Sequence, residues 1–471
     1  MRIKYYIISI LLVILLGLFF LTIKNTKDNI DNKSNQIEFL ENSLKTKKTQ
    51  LKNIHEKLIE DNIYLEDVIL KQGIKFDNKS TREITFDDNN FEFTEFYTND
   101  IVFAKHPSAS SSAYLESDNE NFYLVTATGQ FVYSNLSNLS KEKFLMNKIN
   151  SNIKDIISYK DFFTSSPFGI KDILIHENKI YVSFIKEVTI DCYNTSIIYA
   201  EVNLNYLNFS EFFSTNECVN KNDSFFNTNK HDHIVPHQSG GRMININNKI
   251  IFTVGEFRLR VLAQNKDSIF GKIVAIDINN RSNYEIISLG HRNPQGLFYD
   301  KELKKIFSTE HGPSGGDEIN VINYDKDNNN KIFNYGWPLA SYGKHYFEEK
   351  NDTRLELSPL NKSHSKNGFI EPIKYFDPSV GISQIIGIPD KLIDSNYKNF
   401  IVGTMGTAKK LKEGMLSLFL FEYDNLNNKI ISSKLVPLKS RVRDMVYLNS
   451  EELILMFLET NSSVAIFKKK G

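Results

Sequence analysis

The stretch ILIHENKIYVSF, Ile173 to Phe184, decides the fold. An apolar run rich in β-branched residues breaks at a polar turn, and a second run opens on Lys-Ile. That is the pattern of two short strands folded back on each other. It returns in MININNKIIFTV, Met243 to Val254, and in LFYDKELKKIFST, Leu297 to Thr309, with the second strand opening on Lys-Ile-Ile and Lys-Ile-Phe. A recurring strand, polar turn and strand suits the inner hairpins of propeller blades.

Outward from these hairpins the texture persists. Runs such as NFYLVTATGQFVYS, SIIYAEVNL, GKIVAIDI, NFIVGTMG and LSLFLFEYD are short, β-branched or aromatic, and separated by Asn, Asp, Gly and Lys clusters. With no helical blocks between them, residues 73–471 read as one all-β domain of barrel or propeller type. Lys+Arg and Asp+Glu both number 57, so the bulk charge gives no reason to expect nucleic acid as a partner. Cys192 and Cys218 are too few for a disulfide framework and lack metal-knuckle spacing. A pair in an oxidising compartment and two buried thiols both stay open.

The N-terminal part reads differently. YYIISILLVILLGLFFLTI, Tyr5 to Ile23, is uncharged, follows Arg2 and Lys4, and is long enough to cross a bilayer as a helix. No small-x-small cleavage site follows it. Residues 1–23 are therefore expected to be an uncleaved membrane anchor with a cytoplasmic N-terminus, leaving the rest on the periplasmic or extracytoplasmic side. Between Asp28 and Gln72 there is no proline or glycine, and Ile30, Ile37, Leu44, Leu51, Leu58 and Leu65 fall every seventh position. Lys33, Lys47 and Asp61 spoil alternate layers. The expectation for 24–72 is a coiled-coil-like helical stalk through which the chain could oligomerise, or else a single amphipathic helix.

Four polar stretches punctuated by Gly or Pro stand out in the β part: PHQSGGRM (236–243), GHRNPQGL (290–297), TEHGPSGGDEIN (309–320) followed by NYGWP (334–338), and SRVRDM (440–445). Each alone reads as a turn or as surface charge. Together they gain meaning, because propeller loops converge on the mouth of one central channel.

In this order and separation the four stretches, with AQNKDSIFGKIVAID (263–277), closely resemble the soluble aldose and glucose/sorbosone dehydrogenases that use pyrroloquinoline quinone (PQQ). The resemblance runs from about Gly169 to the C-terminus and implies a six-bladed β-propeller. By motif, His237 matches the general base that takes the proton of the sugar's anomeric hydroxyl, a task suited to imidazole. Arg292 matches the cation over the reacting quinone oxygen, and Asn293 a cofactor contact beside it. Gly312 and Pro313 match backbone carbonyls that hold Ca2+ against the cofactor. Arg441 and Arg443 match the pair that holds the cofactor's carboxylates. Asp317 lies at a matching acidic position, where a turn-capping role explains it equally well.

There are departures. Pro236 stands where some members carry an acidic residue before the base, and Met405 where many carry a cofactor-binding lysine. The resemblance implies an oxidoreductase that converts an aldose-type sugar to its lactone and passes electrons to a membrane quinone or soluble carrier. The alternative from another class is a non-catalytic propeller that binds a glycan or a protein partner.

Overall fold

A computed structural model of the chain describes residues 73–470 apart from 87–88, 99–111, 158–161, 163–165, 222–235, 325–331, 347–355, 394 and 407–411, together with scattered helical residues between 16 and 57. Two compact units result, 1–65 and 66–471.

The second unit is all-β. Among the described residues the strands pair, mostly antiparallel, into one sheet of ten strands, two of five and two of four; the ten-stranded sheet joins the first and last of six blades, whose innermost strands are Ala113–Ser117, Ile170–His176, Gly240–Ile246, Pro294–Asp300, Ile382–Ile388 and Val442–Leu448. Each inner strand neighbours the next, and the sixth neighbours the first, so the blades form a closed ring. The three hairpins that open the reading of the sequence are the innermost hairpins of the second, third and fourth blades. Their turns place Glu177, Asn178, Asn247 and Lys304 at positive φ, the twist that a tight hairpin demands.

The ring is closed by residues from opposite ends of the unit. Asn89–Thr98 forms the outer strand of the sixth blade against Ser463–Lys469, with Phe91 opposite Lys469 and Phe96 opposite Val464. Ile74–Phe86 then pairs with Asn89–Thr98 and also with Phe144–Ser151 of the first blade. Edges that would otherwise be open are thus covered. Apolar layers fill the spaces between blades; Phe307 and Phe400, for example, meet at 4.2 Å between the fourth and fifth. Cys192 and Cys218 form a disulfide, which settles the choice left open above.

A belt of charge crosses the centre. Arg242, 2% exposed, donates from Nη1 to Asp172 at 2.9 Å and to Asp444 at 2.6 Å, from Nε to the Gln295 carbonyl at 2.8 Å, and from Nη2 to the Arg443 carbonyl at 2.9 Å. Its guanidinium lies 5.2 Å from the Tyr114 ring. Five inner strands therefore meet at one side chain. On one side of the belt lie the starts of the inner strands with the polar loops. On the other lies a cavity of about 710 Å³ lined by residues of all six blades, among them Glu116, Ile173, Ile244, Tyr299, Ile388 and Tyr447.

The N-terminal expectations are corrected. No helix among the described residues is long and apolar enough to cross a membrane. Single-pass anchoring and the localisation built on it therefore do not stand. The expected stalk over 24–72 is not borne out either: the described residues there show only short helical runs, such as 40–47, and nothing supports oligomerisation through them. Residues 1–15 and most of 51–72 lie outside the described residues.

The belt makes a prediction. Arg242→Met leaves two buried carboxylates without their cation and should cost about 3–5 kcal/mol in urea unfolding. Burial raises both Asp172 and Asp444 toward protonation, so the loss should be smaller at pH 5 than at pH 8. An unchanged unfolding midpoint at pH 8 would contradict the belt's structural role.

Candidate functional site

The site end of the channel is shaped by irregular strand starts. In five of the six blades the first hairpin carries a register shift at the beginning of the inner strand: Ile170/Asp172, Gly240/Met243, Pro294/Gly296, Ile382/Ile385 and Val442/Asp444. A bulge bends the strand and re-aims the extra residue. The residues inside these shifts are Lys171, Gly241, Arg242, Gln295, Ser383, Gln384 and Arg443, so polar groups turn toward the channel where alternation alone would not send all of them.

His237 lies in the turn before the third inner strand. The turn is pinned by its neighbours: the Gln238 carbonyl accepts from the Phe257 amide at 3.0 Å, and the Ser239 carbonyl from the Gly255 amide at 2.8 Å and Thr195 Oγ1 at 3.0 Å. The imidazole keeps contact with solvent. Hydration lost on the side facing the channel, followed by repulsion from Lys171, Arg292, His311 and Arg258, holds it below its ordinary value. It is therefore neutral at physiological pH and able to accept a proton.

Arg292 is fixed from two sides. Its amide donates to Glu310 Oε2 at 2.8 Å, its Nη1 donates to the His311 carbonyl at 2.9 Å, and its guanidinium lies 5.5 Å from the Trp337 ring centroid. Glu310 is buried and held in turn by His291 Nδ1 at 3.1 Å and Asn320 at 2.9 Å. His291 is thus a support beneath the mouth. Asn293 accepts at Oδ1 from the Gly240 amide at 3.2 Å and from Gln295 Nε2 at 3.1 Å, joining the third and fourth blades.

Gly312 and Pro313 follow Glu310 and His311 on the same loop. A Cβ at Gly312 would stand 2.2 Å from the Gly316 carbonyl oxygen, so only glycine fits there. Asp317 caps turns, the plainer of its two readings. Its Oδ1 accepts from the Gly312 amide at 3.1 Å, and its Oδ2 from Val380 at 3.0 Å, Gly381 at 2.7 Å and Ile382 at 3.3 Å. No cluster of three or more His, Cys, Asp or Glu suited to a metal occurs among the described residues.

Arg441 and Arg443 share Glu459. Arg441 Nε donates to it at 2.7 Å and Arg443 Nε pairs with its other oxygen, while Arg443 Nη1 reaches Gln295 Oε1 at 3.1 Å. Arg441 also bonds the Gly406 carbonyl, and its Nη2 lies 3.5 Å from Met405 Sδ. Burial alone would raise Glu459, but Arg443 and then Arg441 pull it down to about 2.

The structure therefore brings His237, Arg292, Asn293, Gly312, Pro313, Arg441 and Arg443 to one end of the channel. Sequence reasoning missed Lys171 and Glu459, and it gave Trp337 no role although NYGWP stood out. Trp337, the only tryptophan of the chain, lies 5.5 Å from both Arg260 and Arg292, and its buried Nε1 has no hydrogen-bond partner among the described residues. Lys171 had a signal, a lysine inside an otherwise apolar strand start; Glu459 had none.

The sequence model of the family described as glucose / sorbosone dehydrogenase matches residues 143–465, more than half of the chain. The chain is 33% identical over 157 residues to the aldose sugar dehydrogenase YliI of Escherichia coli, covering 31% of this chain and 38% of that protein. It is 26% identical over 296 residues to the quinoprotein glucose dehydrogenase B of Acinetobacter calcoaceticus, covering 48% and 60%. The matches thus span less than two thirds of either relative. Among solved structures, the soluble aldose sugar dehydrogenase of Escherichia coli in its apo form aligns with a TM-score of 0.55 at 19% identity, over 77% of this chain and 96% of that one. The PQQ-bound aldose sugar dehydrogenase of Streptomyces coelicolor aligns with a TM-score of 0.54 at 13% identity, over 84% and 99%. These two likenesses concern the fold.

Glu459 yields a pH prediction. Its folded value lies below the ordinary carboxylate value, so its stabilisation is present above about pH 4.5 and is lost as pH falls toward 2. Glu459→Gln should destabilise the protein by roughly 2–4 kcal/mol at neutral pH. The gap to the parent protein in thermal unfolding should narrow steadily below pH 4.5, and a gap independent of pH would contradict the ion-pair account.

Proposed function

This chain belongs to the glucose/sorbosone dehydrogenase family, and from that membership we propose that it is a PQQ-dependent oxidoreductase that oxidises an aldose-type sugar at the anomeric carbon to the lactone. The observation that carries this reading is a neutral imidazole, His237, on the same channel mouth as the fixed guanidiniums of Arg292, Arg441 and Arg443. The names of the Escherichia coli and Acinetobacter relatives, and the PQQ-bound Streptomyces structure, support the choice of chemistry.

The residues present suit a flat polycarboxylate. The guanidiniums of Arg292, Arg441 and Arg443 share the mouth, with the carboxylate of Glu459 between the last two and that of Glu256 acting on Arg292. Beside them is a glycine floor: a Cβ at Gly312 or Gly343 would strike backbone oxygens at 2.2 and 2.4 Å. The indole of Trp337 adds an aromatic surface near Arg292.

In this reading PQQ, when bound, supplies the two-electron acceptor for the hydride leaving the sugar. The protein does the rest. His237 accepts the proton of the anomeric hydroxyl at a ring nitrogen, which is unprotonated at working pH. Arg292, held by His311 and Glu310, keeps a positive charge fixed where negative charge develops. Arg441 and Arg443 bind carboxylates, and Asn293 holds the loop beside Arg292 against the third blade. The carbonyls of Gly312 and Pro313 are the proposed Ca2+ ligands, since backbone oxygens suit a hard cation. Pro236 offers the base no carboxylate partner, in keeping with the low proton affinity of His237.

His237→Ala tests the assignment of the base. In the full chain loaded with PQQ and Ca2+, dye-linked turnover of an aldose should fall at least about a hundredfold. Quenching of Trp337 fluorescence by PQQ should persist. Normal turnover in this variant would overturn the assignment.

A further inference from the structure

Lys171 belongs to none of the four polar stretches, yet it occupies a site position. It lies inside the register shift between Ile170 and Asp172 at the start of the second inner strand, where the fourth and sixth blades carry Gln295 and Arg443. The residue is 7% exposed, and its Nζ donates to the Pro167 carbonyl at 2.6 Å. Gly241 makes room for its stem: at φ 109°, a Cβ there would stand 2.3 Å from Lys171 Cβ and 2.9 Å from its Cγ. A glycine at the start of one inner strand therefore accommodates a lysine at the start of the next.

The electrostatics fit an anion site. Lost hydration, followed by repulsion from Arg443, draws the Lys171 amine down to about 7. Lys171 is also the foremost of the charges acting on His237. Ammonium, guanidinium and imidazole thus bear on the same small space, and a bound anion there would relieve their mutual repulsion and repay part of the burial cost. Asp172 and Asp444 are engaged by Arg242, and Glu459 holds Arg443 through Nε, leaving its outer guanidinium nitrogens turned to Gln295 and the mouth.

From this arrangement we propose that Lys171 and Arg443 together bind a carboxylate of the cofactor, so that the second blade provides a cation where the fifth presents Met405. The inference rests on the functional reading above. Lys171 is a binding residue in this account and takes no proton from the sugar.

The test is equilibrium titration of the full chain with PQQ in the presence of Ca2+, read by Trp337 fluorescence at low and high salt. Lys171→Gln should weaken PQQ binding about ten- to hundredfold, the range for a lost charge-assisted hydrogen bond, and should flatten the salt dependence. Lys171→Arg, which keeps the charge, should stay within about threefold of the parent protein. Unchanged affinity in Lys171→Gln, with the parent protein binding PQQ, would overturn this inference alone. Equal losses in both variants would also overturn it, by showing that side-chain fit and not charge matters. A parent protein that fails to bind PQQ would overturn the functional reading and this inference with it.

Discussion

The contact between Arg242 and the carboxylates of Asp172 and Asp444 is the constraint on which the rest of the molecule depends. A propeller has no continuous core at its axis, so something must keep the inner strands in register with one another. Here a single guanidinium bonds two side chains and two backbone carbonyls and lies against a tyrosine ring, and so ties the third blade to the first, second, fourth and sixth. The carboxylates spread the tie further, since Asp172 accepts from the Met243 amide at 2.7 Å and Asp444 from the Leu115 amide at 2.8 Å. The cost of burying three charges is met by near-complete hydrogen bonding.

The site follows from that belt. The carbonyls that Arg242 binds belong to Gln295 and Arg443, residues whose side chains face the mouth and bond each other. The support and the functional surface are therefore successive layers of the same strands. Above the belt positive charge accumulates in a chain whose overall charge is zero. Glu459 makes this tolerable by holding Arg441 and Arg443, while Glu310 fixes the backbone of Arg292 by accepting from its amide. Lost hydration, and after it the same field, keeps His237 neutral, so the arrangement that binds an anion also favours proton acceptance.

Much of this was legible in the sequence, for identifiable reasons. The hairpins at Ile173, Met243 and Leu297 declare themselves because polar turns interrupt β-branched runs at short range. His237, Arg292, Gly312 and Arg443 stand in loops or strand starts whose Gly and Pro content marks them, and the structure places those segments at one channel end. Closure of the ring was not legible: nothing local names Asn89–Thr98 and Ser463–Lys469 as partners. Lys171 and Glu459 were missed because a bulge, invisible to period-two alternation, aims the first, and because the second matters only through two arginines that approach it from Ser440 onward. At the N-terminus hydropathy and heptad spacing led to a membrane helix and a stalk that the described residues do not bear out.

The most direct test of the central claim is anaerobic mixing of the full chain, loaded with PQQ and Ca2+, with a panel of aldoses while the cofactor's absorbance is followed. The account predicts that bound PQQ is reduced by at least one aldose, with the matching lactone formed in equal amount. PQQ that binds but stays oxidised with every sugar would contradict it, and would leave a cationic propeller mouth that holds a quinone without using it.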